Sequence, residues 1–260
     1  MKKTLTLFTA IALSTTTYAL VKEYHNVVQP FINAFKFNDK NYIAEVFERG
    51  GVTTKTDFIE RFDEYFDESL SNKIANSTLD DWDMMGWRGI MFDNGLIWLD
   101  QDGSFRHSNY ETKKAKELRL EAIEKDKSLL HPMMRDFLHN NHQWETQTSI
   151  IRIDKLANNK YRFSSWANHD ISTIPDLIIN NGTFKCDGTA CYEVYTFESN
   201  NLKLVVGTGG ISSVSSPKVS IDIYINDRLI LEKYMCDTQR CIDRAKDETS
   251  SQLIFEKLYK

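Results

Sequence analysis

Near residue 145 the apolar side chains of this chain change their spacing, and that change limits the fold more than any other feature. Up to about Asn141 they recur mostly at helical intervals; from about Thr146 they alternate in short runs separated by turn residues. The expected fold class is therefore α+β. Residues 20–145 form a helical and antiparallel-sheet domain, and residues 146–260 an all-β antiparallel sandwich or barrel.

In the first part, Val27, Val28, Phe31, Ile32 and Phe35 lie on one helical face, and Tyr42, Ile43, Val46 and Phe47 resume it after Asn38-Asp39-Lys40. Gly50-Gly51 stops that second helix. A third is expected over 55–74, with Thr56 as N-cap and Phe58, Ile59, Phe62, Tyr65, Phe66 and Leu70 buried. Asp93-Asn94-Gly95 between the apolar runs 87–92 and 96–100 predicts a β-hairpin. A short strand over 105–110, a solvent-facing helix over 111–127 and a helical stretch from Pro132 through Met134, Phe137 and Leu138 complete this part. The second part predicts strands near 148–154, 161–166, 176–179, 191–197, 202–206, 219–225 and 229–234, with Asn/Gly-rich turns between them. Residues 253–259 fit a last strand or a terminal helix equally well.

Residues 1–19 read as a secretory signal peptide. Lys2 and Lys3 precede a mostly apolar run, Leu5 to Leu13, and Thr17-Tyr18-Ala19 supplies small residues for cleavage. The run is too short to span a bilayer, so no stable membrane insertion is expected. The expected location is the periplasm or the exterior. Removing the segment takes the formal charge from -5 to -7, since two lysines leave and no acid does. A nucleic-acid surface would need clustered positive charge, and none dominates.

Export places the four cysteines in an oxidising compartment. Cys186 and Cys191, like Cys236 and Cys241, are separated by four residues, which favours two local disulfides because each spacer resembles a turn. Crossed bridges and a four-thiolate zinc site are the rival readings.

No phosphate loop, dinucleotide glycine motif or serine-nucleophile elbow is present, and no cofactor or catalytic residue is assigned. His139 and His142, three apart on the expected helix with Asp136, would offer a metal-type donor set, but surface histidines are the commoner outcome and no metal site is assigned. His169-Asp170 reads as loop. The strongest constellation is aromatic. Trp82, Trp87 and Trp98, with Arg88 and Asp100, cluster around the hairpin, and Trp and Arg are the residue types that dominate binding hot spots. Alternation puts Trp87, Gly89 and Met91 on one strand face and Arg88, Ile90 and Phe92 on the other. The competing reading is that these tryptophans cover a helix-on-sheet core.

The stretch from Asp57 to Asp67, then Ile74-Ala-Asn-Ser and the block from Trp82 through Trp87-Arg-Gly-Ile-Met to Trp98 and Asp100, resembles a group of exported Gram-negative bacterial proteins. Tyr161 to Trp166, Pro175 to Gly182, and Tyr195 with Phe197 are similar to the second half of the same group. The group supplies no activity to transfer. Helices preceding a curved antiparallel sheet also resemble, in layout, the cone-shaped nuclear-transport-factor-2-like fold. The reading that follows is an envelope binding protein without catalysis, whose partner is another protein, of the immunity or inhibitor kind. A periplasmic enzyme using Asp81, Asp83 or Asp100, and a structural or ligand-sensing envelope module, are the alternatives.

Overall fold

The computed structural model describes residues 25–188, 191–208, 217–238 and 241, together with the backbone of 253–257. The expected signal peptide lies outside the described residues. The chain is α+β and divides into two compact units between Leu120 and Glu121. The pattern change near 145 placed the division later. The difference arises because the stretch after the long charged helix, including 139–145, belongs to the second unit's sheet.

The first unit opens with helix α1 (25–36) and α2 (Lys40–Arg49), whose N-cap Asp39 accepts from the Tyr42 amide. Gly50 ends α2 as expected; a Cβ there would lie 2.0 Å from the Phe105 carbonyl oxygen. The single helix expected over 55–74 is three: α3 (Lys55–Glu60), α4 (Phe62–Tyr65) and α5 (Glu68–Ala75). Its cap is Thr54 rather than Thr56. The break has a local cause, because Phe66 is extended and Asp67 starts a new helix by accepting from the Leu70 amide. The bends gather Phe47, Phe58, Phe62, Tyr65, Phe66 and Phe105 into one aromatic cluster, with Phe47 stacked on Phe105 at 3.8 Å.

These helices precede a four-stranded antiparallel meander: β1 (Trp82–Met84), β2 (Ile90–Phe92), β3 (Ile97–Leu99) and β4 (Phe105–Ser108). The Asn-Gly hairpin is present. Phe92 pairs with Ile97, and Asp93 and Asn94 both take positive φ, 44° and 55°. Ile90, Phe92, Ile97, Leu99 and Phe105 face the helices and complete the core.

Helix α6 (Lys113–Leu129) runs through the division. Beyond it the expected helix at Pro132 is only a turn, Pro132–Met134, and the chain then enters β5 (His139–Glu145). Seven strands follow in sequence order, β6 (Ile150–Lys155), β7 (Tyr161–Trp166), β8 (Leu177–Asp187), β9 (Tyr192–Ser199), β10 (Leu202–Thr208), β11 (Val219–Ile225) and β12 (Arg228–Cys236). All pair antiparallel. β13 (Leu253–Lys257) adds a parallel edge to β12, which resolves the tail as a strand. The expected turn at Asn180-Asn181-Gly182 is a bulge instead: Asn181 has φ 64° while β8 continues, leaving β7 for β9.

This sheet curls. Asn141 on β5 donates to the Tyr195 hydroxyl on β9 at 3.2 Å, and His142 lies 2.6 Å from Glu193. Four strand spacings in a flat sheet would separate them by roughly 19 Å. Ile151, Ile153, Phe163, Phe197, Val206 and Ile221 fill the inside of the curl. The other face of β6 and β7 carries a buried ionic network. Arg152 bridges Asp126 of α6 and Asp154, and Arg162 binds Asp154 and the Met134 carbonyl. Burial pulls the Arg152 pKa down, but Asp126 and Asp154 more than offset it, so the guanidinium stays charged.

Both cysteine pairs are bridged locally, Cys186–Cys191 with Cα atoms 4.8 Å apart and Cys236–Cys241 at 5.6 Å. No helix among the described residues is long and apolar enough to cross a membrane.

Candidate functional site

The candidate site occupies the outward face of the four-stranded sheet and the turn that joins β1 to β2. Strand alternation commits Ile90, Phe92, Ile97 and Leu99 to the core, so their neighbours must point away from it. The ladder register then aligns one residue from each strand. Asp83 pairs with Met91, Met91 with Trp98, and Trp98 with His107. Trp98 and His107 stack at 5.5 Å with an interplanar angle of 16°. Burial of the imidazole, reinforced by Arg106, lowers the His107 pKa against a smaller opposing pull from Asp100. The ring is held toward its neutral form. The indole Nε1 of Trp98 is buried with no hydrogen-bond partner.

The three candidate tryptophans separate sharply. Trp82, grouped with the binding residues on sequence, is a core residue, 3% exposed. It stacks on Phe92 at 4.7 Å and donates its Nε1 to Ser77. It cannot reach a partner. Trp98 sits half-buried in the outward row. Trp87 is 80% exposed. The sequence placed Trp87 in a strand, but residues 86–88 form a tight helical turn, because Gly89 adopts φ 94° and its α-carbon sits against the Leu99 carbonyl. That turn is held from below. Gln101 donates to the Gly86 carbonyl at 3.0 Å, and Arg106 Nη1 donates to the carbonyls of Trp87 at 3.4 Å and Arg88 at 3.0 Å. Arg106 also reaches Asp100 at 3.2 Å, which makes Asp100 a support of the turn. Arg88 itself is exposed.

Three other predicted groups fall elsewhere. Asp81 accepts from Thr78 through both its amide and hydroxyl, and those bonds hold its carboxyl below the usual range. His139 and His142 lie on a strand rather than a helix, with a bulge between Asn140 and His142. His142 stacks on Trp144 at 4.8 Å and pairs with Glu193, so it braces the curl. Among the described residues no group of three or more His, Cys, Asp or Glu side chains converges on a metal position. His169 is in a loop, as read, and contacts the Thr146 carbonyl at 2.9 Å.

Sequence reasoning put Met91 on the face opposite Ile90 and Phe92, where the structure has it, but missed His107 in the outward row, and Gln101 and Arg106 as supports. His107 was accessible by carrying the two-residue alternation across the hairpin into β4. The supports were not, since they lie 15 to 19 residues from the carbonyls they hold. Set beside known proteins, the chain matches no family model, no curated protein and no solved structure.

Proposed function

We propose that this chain is an exported envelope protein that binds another protein without catalysis, in the manner of an immunity or inhibitor protein, and that Trp87 is its anchor. One observation carries the reading: a tryptophan 80% exposed stands on a turn whose three successive carbonyls are each held by a side chain. An isolated exposed Trp needs no explanation, but one whose backbone is already held loses only its side-chain freedom on docking. The row of Met91, Trp98 and His107 adds polarizable and aromatic contact area beside it. Two disulfides fit life in an oxidising compartment.

The enzyme alternative finds less support. A carboxyl acting as general acid at neutral pH needs a raised pKa, and Asp81 is held low by its bonds to Thr78. Asp100 is engaged by Arg106.

The test is capture of envelope or competitor-secreted proteins on immobilised wild-type chain and on Trp87→Ala. A specific partner is expected on the wild type, with affinity reduced by roughly 30-fold or more in the variant, about 2 kcal/mol for a hot-spot tryptophan. Equal capture by both, or turnover of a small molecule with no captured partner, would refute the reading.

A further inference from the structure

The charge of this chain is unevenly placed. Between residues 57 and 102 there are twelve Asp and Glu against only Arg61, Lys73 and Arg88, a net of -9. Residues 121–260 carry nineteen acids and seventeen bases, a net of -2. The recognition turn therefore rises from the most acidic segment of the molecule.

Size decides whether a partner on Trp87 must meet that charge. A standard interface covers about 800 Å² on each side, a disc of roughly 16 Å radius. Asp83 precedes Trp87 by four residues, so their α-carbons are at most about 14 Å apart. Asp100 is joined to the turn through Arg106. A docked protein of ordinary footprint centred on Trp87 extends far enough to meet Asp83 and Asp100; the bases beside the turn are Arg88, next to Trp87, and Arg106, which is already engaged by Asp100 and two backbone carbonyls. Asp80 and Asp83 have no hydrogen-bond or ion-pair partner among the described residues, and with Asp81, Asp93, Asn76 and Asn94 they line a groove of about 390 Å³ at the base of the β1–β2 hairpin. Lys73 pairs with Asp93 and is the one base among the described residues that line it. Such a rim repels phosphate-bearing surfaces and attracts Lys and Arg.

Resting on the reading of Trp87 as anchor, we propose that the partner is a basic protein whose contact surface combines an apolar socket for the Trp87 ring with clustered Lys and Arg facing Asp80, Asp83 and Asp100. The indole would supply the central desolvated contact; the carboxylates would steer association and select against acidic competitors. Two consequences follow from this division of labour. Affinity falls with salt, and removing the unpaired carboxylates weakens binding without touching the fold.

A random 15-residue phage-displayed peptide library, selected on the full wild-type chain and counter-selected on Trp87→Ala, supplies the probe. Expected are Trp87-dependent peptides enriched in Lys and Arg relative to the unselected library. Their affinity, read by fluorescence anisotropy, should fall tenfold or more between 50 and 500 mM NaCl. It should fall at least threefold at low salt in Asp80→Asn/Asp83→Asn, with the melting temperature unchanged. Trp87-dependent peptides that are neutral or acidic, or whose binding ignores salt and the double variant, overturn the basic-partner inference and leave the anchor standing. A library that yields no Trp87-dependent peptide removes the anchor, and this inference with it.

Discussion

Trp82 and Trp87 are five residues apart and have opposite fates, which a single-residue comparison makes measurable. Trp82 buries its ring against Phe31 and Phe92, and truncation leaves a cavity that the surrounding aromatic rings cannot collapse to fill. Trp82→Ala should lower stability by roughly 3–5 kcal/mol, read by chemical denaturation. Trp87→Ala removes a side chain that is almost wholly in water and should change stability by no more than about 0.5 kcal/mol. A large loss from Trp87→Ala would mean that the ring packs in solution, and the anchor reading would fail. Gly89 lies between these cases. It holds φ 94°, and a Cβ there would sit 2.2 Å from the Leu99 carbonyl oxygen. Gly89→Ala should cost more than about 1 kcal/mol and disorder residues 86–88, visible as faster amide exchange there. Unchanged exchange would show that the turn does not depend on that glycine.

At the scale of elements, β11 and β12 carry a conflict that pH should expose. Asp222 stands directly opposite Glu232 in their register. Burial, and then that neighbouring carboxylate, raises the Asp222 pKa above its ordinary value of 3.8. A carboxyl with a raised folded pKa favours folding while protonated, below its unfolded pKa, and loses that contribution as pH rises through the folded value. At neutral pH the ionised Asp222 is therefore a cost. Asp222→Asn should stabilise the protein at pH 7 by a few tenths to about 1 kcal/mol, with the gain vanishing below about pH 3.8. A destabilised variant at pH 7 would show that Asp222 has a favourable partner instead. The same scale explains what could be read in advance. The Asn-Gly hairpin and the strands from β6 to β12, apart from the part of β8 beyond Ile179, were legible because their signals are local: left-handed turn residues and β-branched or aromatic runs. β5 was not, since His-Asn-Asn-His-Gln-Trp-Glu has no β-branched residue and no clean alternation; it is a strand because β6 offers it a ladder. The break before α5 was half-legible, as Asp67-Glu68 is a serviceable helix start hidden inside an apolar stripe that continues through it. The candidate site divides likewise. Its tryptophans and Arg88 stood out by composition, whereas the role of Arg106 depends on β4 folding back beside the turn.

Across the whole molecule, the two units are secured by different means, and that difference predicts how the chain unfolds. Residues 25–120 contain no cysteine and depend on the cluster built around Phe47, Phe58, Phe66 and Phe105. Both bridges lie in the second unit, each closing a six-residue loop. On the chain-entropy model a loop of that size restrains the unfolded ensemble by about 2 kcal/mol, so the pair contributes about 4. That is a large part of the 5–15 kcal/mol by which ordinary domains are stable. The bridges also lie at strand ends of the curled sheet, Cys186 near the end of β8 with Cys191 just before β9, and Cys236 at the end of β12. Reduction should therefore lower amide protection in β8 to β12 while leaving α2, α5 and the four-stranded sheet as protected as before. Hydrogen exchange with and without a phosphine reductant reads this directly, and Cys186→Ser/Cys191→Ser should reproduce about half of the loss. Should protection collapse in both units together, the chain would be one cooperative body, and the turn at 86–88 would owe its order to the disulfides as well as to Arg106.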